Sequence, residues 1–145
     1  MPSPYFKTYG RQVVDSATLA VNADAHVGIR IILHRAAGIT ATLPPATGSG
    51  NRYEFIVRTS VTSNQYRIDT AGTDKIAGLA NMRASAAAAF AADPASNGRI
   101  NMNGGTTGGL VGTRVVLDDV AAGLWSAEVN AVGSGTAATP FADKA

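Results

Sequence analysis

The sequence contains no cysteine, so disulfides, thiolate nucleophiles and cysteine-ligated metals are excluded at the outset. Its only histidines, His26 and His34, form no His-x-x-x-His or His-x-Glu arrangement that could hold zinc. Charged residues make up just 15% of the chain, and no two basic residues are adjacent. A nucleic-acid binder usually gathers its positive charge into a patch or stripe, so nucleic acid is not an expected partner. No apolar stretch approaches the roughly 20 residues that cross a bilayer, and no membrane association is expected. The start, Met1-Pro2-Ser3-Pro4, has no apolar core behind a basic residue, so a secretory signal is not expected either. Gly-x-Ser-x-Gly does not occur, which removes the hydrolase nucleophile elbow.

What remains is a chain of 145 residues, 46% apolar and carrying a net charge of +2. That is the size of one ordinary domain with a real core. Its patterning is that of strands. In Arg52-Tyr53-Glu54-Phe55-Ile56-Val57-Arg58 the residues Tyr53, Phe55 and Val57 share one face, with Arg52, Glu54 and Arg58 on the other. The same period of two runs through Gln65 to Thr70, with Tyr66 and Ile68 inward, and through Arg99 to Asn103. Trp125, Ala127, Val129 and Ala131 alternate with Ser126, Glu128 and Asn130. Further strands are expected over 29–34, 39–43 and 113–118. Turn signals such as Ala37-Gly38, Pro44-Pro45, Ser63-Asn64, Asn97-Gly98 and Ala122-Gly123 separate the runs. The fold class expected is all-β. Because polar residues alternate with apolar ones, antiparallel pairing in a β-sandwich or barrel is expected.

The segment Ala84 to Ala92, alanine except for Ser85 and Phe90, has the propensity of a short helix ending at Asp93-Pro94. Both ends differ from the middle. Residues 1–14 hold Tyr5, Phe6 and Tyr9 beside Lys7 and Arg11, with Pro2 and Pro4 keeping the start extended. Residues 133–145 are small and polar apart from Pro140 and Phe141. The organisation read from this is an N-terminal arm (1–14), a β domain (15–132) and a C-terminal tail (133–145).

The residues offer little chemistry. His26 and His34 are read as surface or edge residues. Asp118-Asp119 is the only adjacent acidic pair, expected at a hairpin turn, where capping outweighs metal binding. The glycine-rich run from Asn103 to Leu110 lacks the lysine and following helix of a phosphate loop, and reads as a turn between strands. Trp125, in phase with Ala127 and Val129, is a core residue rather than a sugar platform. Arg30, Arg52, Arg58, Arg67, Arg99 and Arg114 recur about once per strand; they read as solvated faces, with ion pairing to an acidic partner lattice as the minor alternative. No catalytic residue, metal ligand or cofactor site is assigned, and an enzyme is not expected.

In order along the chain, Ala36 to Pro44, Arg52 to Val57, Thr59 to Asn64 leading into Tyr66-Arg67-Ile68, Ile100 to Gly104, Thr107 to Thr113, Leu124 to Glu128 and Gly133 to Phe141 resemble blocks of small structural proteins of tailed bacteriophages. The similarity spans roughly residues 17–142 and points to the capsid decoration, or cement, proteins. The resemblance implies a β-sandwich or jelly-roll-like barrel, assembled as a homotrimer on the outer surface of the virion head after synthesis in the host cytoplasm. The major capsid protein is the partner it implies. It also implies that residues 84–92 are strand or irregular structure and not helix, as the first strand of a hairpin leading into the Ile100-Asn101-Met102-Asn103 strand. The two ends would then be the grips, with Tyr5, Phe6, Lys7, Tyr9, Arg11 and Phe141 as capsid-contact candidates. The alternative expectation is a head-fibre or tail-associated module that binds cell-surface glycan. It would need exposed aromatics and polar loops on one rim, and Trp125 or Tyr66 exposed in a cleft would favour it.

Overall fold

The alternating runs become strands that the chain deals out to two sheets in turn. The structure, a computed structural model, describes residues 10–144. Its strands are Arg11–Val14 (β1), Thr18–Ala20 (β2), Arg30–Leu33 (β3), Ile39–Thr42 (β4), Arg52–Val57 (β5), Tyr66–Asp69 (β6), Lys75–Arg83 (β7), Ala87–Ala91 (β8), Asn97–Met102 (β9), Arg114–Ala121 (β10), Leu124–Val132 (β11) and Phe141–Asp143 (β12). Among the described residues the one helix is Ala23–His26 (α1), capped by Asn22, whose side chain accepts from the Ala25 N–H. The seven-stranded sheet runs β1-β3-β5-β10-β11-β7-β8, and the five-stranded sheet β12-β9-β6-β4-β2.

The first six strands form a three-turn coil. Odd-numbered strands enter the larger sheet and even-numbered ones the smaller, so neighbours within each sheet are parallel: β1 with β3, β3 with β5, β2 with β4, β4 with β6. A parallel neighbour normally needs a long crossover. Here the crossover is the strand in the opposite sheet, and connections such as Asp15 to Ala17 stay short. The second half adds antiparallel partners, β10 on β5 and β9 on β6, and one more parallel pair, β7 with β11. The sandwich is thus mixed, which corrects the antiparallel expectation. A coil buries one face of each strand just as a hairpin sheet does, so alternation along the sequence is the same in both.

The two inner faces share one core, in which Ile31, Leu33, Tyr53, Phe55, Tyr66, Ile68, Ile76, Ile100, Met102, Leu117, Trp125 and Val129 are all at most 2% exposed. At its centre the Tyr53 and Trp125 rings meet edge to face, 5.8 Å between centroids. Gly78 sits inside β7 at φ +142°, where the backbone of β11 lies so near that a Cβ would fall 1.9 Å from the Ala127 carbonyl oxygen. Only glycine permits that approach.

Both ends of the expected β domain move outward. Arg11–Val14 is a strand with Val14 buried, so it belongs to the sandwich and not to an arm. At the other end Phe141–Asp143 pairs with β9, and Phe141 is 4% exposed. The alanine-rich segment is strand β8, against its helix propensity, but its partner is β7 and not the strand of Ile100 to Asn103, which lies in the other sheet as β9 and corrects the hairpin that the resemblance implied.

Candidate interaction face

The polar groups buried in the sandwich are spent on structure. Asp119 lies at the bulge of β10, not in the hairpin turn, which is Ala122-Gly123. Its carboxylate accepts from the Thr47 and Gly48 N–H groups (3.0 and 2.7 Å) and from the Ser49 hydroxyl (2.7 Å), latching the Thr47-Gly48-Ser49 loop onto the sheet end. Burial would raise its pKa, but the hydrogen bonds from Ser49, Thr47 and Gly48 outweigh that and lower it to about 2. Asp74 holds the Ala46 N–H, and Asp69 takes Arg99 in a two-bond fork at 2.6 and 2.9 Å.

His26 is buried at the foot of α1, which corrects its surface assignment, whereas His34 is exposed. Its Nδ1 accepts from the Asn22 N–H, so its Nε2–H donates to Gln12 Oε1, each at 3.0 Å. Burial pushes its pKa below the ordinary 6.5. In the glycine-rich run, the Asn103 side chain accepts from the Gly105 and Thr107 N–H groups and the Gly104 N–H donates to Gly108. A compact turn uses these donors. Among the described residues no group of three acidic, histidine or cysteine side chains could hold a metal ion.

The contact candidates divide three ways. Tyr5, Phe6, Lys7 and Tyr9 lie outside the described residues. Phe141 packs in the core and is withdrawn as a contact residue. Arg11 is exposed on β1, and its register identifies a surface that single strands did not reveal.

That surface is the outer face of the seven-stranded sheet. Arg11, Arg30, Arg52, Arg83 and Arg114 project from it against three carboxylates, Glu54, Asp118 and Glu128. Arg52 and Asp118 form a fork at 2.8 and 3.2 Å. Arg30 and Arg114 share Glu54, at 3.6 and 3.8 Å. Arg11 and Arg83 have no ion pair among the described residues. Moreover, Arg11 stands directly across from Arg30, and like charges facing each other across two strands repel. Beside that pair runs a cross-strand row of β-branched residues, Val13, Ile32 and Ile56, continued by Arg114. Val13 is 38% exposed, Ile32 and Ile56 half-buried.

The face is therefore a short apolar row flanked by arginines, near the β1 edge. The sequence hinted at it through outward arginines on successive strands. Only the register put Arg11 against Arg30 and aligned the apolar row. Trp125 and Tyr66, whose exposure would have favoured the glycan alternative, are fully buried. No family model, no curated protein and no solved structure matches this chain.

Proposed function

We propose that this chain is a structural virion protein that binds and stabilises the outer surface of a tailed-phage capsid, without enzymatic activity. The sequence resemblance supplies the class, with the major capsid protein as partner and a trimer as the assembled form. The observation that carries the docking part is the register of Arg11 opposite Arg30: Arg30 is paired with Glu54, Arg11 has no ion pair among the described residues, and both stand beside a partly exposed apolar row. A carboxylate of a partner would supply the counter-charge that Arg11 lacks among the described residues. An apolar row in an arginine rim suits a flat, acidic protein surface, with the row supplying desolvated contact and the rim supplying orientation. Many copies bound to one lattice gain from avidity, so the individual contact need not be strong.

The experiment is addition of purified chain to phage heads assembled without it. Saturable binding at fixed stoichiometry that weakens with salt is expected. Arg11→Glu should cut that binding by roughly tenfold or more. Heads that take up none of the chain overturn the reading.

A further inference from the structure

We infer that strand β8 is a self-association edge, at which two copies of the chain join antiparallel across a two-fold axis through Ala89. The inference is independent of the capsid reading and concerns the chain alone.

The larger sheet ends at β1 and β8, the smaller at β12 and β2. An open edge invites another strand, and proteins blunt it by shortness or charge. β2 and β12 are three residues each, and β12 ends in Asp143 followed by Lys144. β1 is four residues and begins with Arg11. β8 has five residues, and from Ala84 to Ala92 there is neither charge nor proline. Among the described residues it is the edge without a guard. Its alanines, moreover, favour helix when alone, so pairing with β7 on one side holds them extended against their own preference.

The ladder with β7 fixes which groups are free. The Ala92 N–H donates to the Gly78 carbonyl, and the register runs Leu79 to Ala91, Ala80 to Phe90, Asn81 to Ala89. Bonded and non-bonded pairs alternate in such a ladder. Phe90 and Ala88 therefore spend their backbone groups on β7, while Ala87, Ala89 and Ala91 turn theirs to the open edge.

A second β8 arriving antiparallel must match these free groups with its own. The one register that pairs all five residues joins Ala89 to the partner's Ala89, and Ala87 to the partner's Ala91 in both directions. It also sets each Phe90 against the partner's Ala88, large against small, on the inner side of the sheet. Phe90 is half-buried and already packs on the core rim; the partner's Ala88 completes its cover. On the outer side Ala87, Ala89 and Ala91 meet their counterparts with no bulk or charge between them. The strand thus complements itself, which is why a second copy is its occupant rather than a charged peptide. One five-residue ladder falls well short of the roughly 1,200 Å² of a stable interface. Association is weak in dilute solution, and significant where copies are held side by side.

Because the chain lacks cysteine, single thiols test the register. Ala87→Cys, Ala89→Cys and Ala91→Cys lie on the exposed side of β8, and thermal melts confirm that each variant folds. In the bonded register Cα atoms sit about 5.5 Å apart, within disulfide reach. Under mild oxidation Ala89→Cys should cross-link to itself roughly tenfold or more faster than either of the other variants alone. A mixture of Ala87→Cys with Ala91→Cys should cross-link to each other. Sedimentation of the wild type should show mass rising with concentration, and Ala89→Pro should abolish the rise. Equal cross-linking at the three positions, none at residue 89, or a mass independent of concentration overturns the inference.

Discussion

Trp125 shows what a single side chain does in this core. Its ring is fully buried against Tyr53, yet among the described residues its Nε1–H makes no hydrogen bond. Removing the ring leaves a cavity, so Trp125→Ala should cost about 3–5 kcal/mol. Trp125→Phe keeps most of the packing and removes an unpaired donor, whose burial costs about 1–3 kcal/mol. It should lose markedly less than the alanine variant, as read from urea unfolding midpoints. Asp119 is the polar counterpart. Its folded pKa of about 2 lies below the ordinary 3.8, so the unfolded chain takes up this proton first as pH falls. The stability it confers is therefore complete above about pH 4 and is lost as pH falls toward 2. His26 acts earlier in the same direction: its pKa is lowered below 6.5, so stability declines as pH falls below that value. Melting temperatures followed from pH 8 to 2 should show both losses, and Asp119→Asn should remove only the lower one.

Among the elements, β7 and β1 carry the sharpest expectations. β7 is the inner partner of β8 and pairs in parallel with β11, a contact that Gly78 makes possible by having no Cβ. Gly78→Ala should push these strands apart and lower the melting temperature severely. Gly72→Ala, at φ +50° with nothing within 4 Å of its Cβ, should cost only about 1 kcal/mol. β1 separates two truncations. Removing residues 1–9 leaves the sequence of β1 in place and serves as the reference. Removing residues 1–14 takes away buried Val14 and the Gln12 partner of His26, and should destabilise the protein. If both truncations melt alike, β1 is not part of the cooperative unit.

For the molecule as a whole, the outer face of the larger sheet carries Arg11, Arg30, Arg52, Arg83 and Arg114 beside a short apolar row, and the docking proposal rests on that face. Arg11 stands across from Arg30 with no ion pair of its own among the described residues, so its charge contributes little to the stability of the ladder. Arg11→Gln should leave the melting temperature equal or slightly raised while weakening attachment to heads. Loss of stability together with attachment would make Arg11 a structural residue, and unchanged attachment would remove it from the contact.

Much of this was legible in the sequence because side-chain alternation depends only on the pleat. Tyr53, Phe55 and Val57, Tyr66 and Ile68, and Trp125 through Ala131 are buried as their spacing required. The lack of cysteine and of a ligand-forming histidine pair excluded whole classes of chemistry in the same direct way. Pairing partners were not legible, since a strand in a coil and a strand in a hairpin bury one face with the same period. Only the tertiary structure decided that β1, β3 and β5 run parallel, that the alanine segment is strand against its local preference, and that Phe141 closes the core. It also decided where the arginines meet. Register is set by contacts between residues far apart in the chain, and no local pattern around Arg11 or Arg30 encodes that they stand opposite each other.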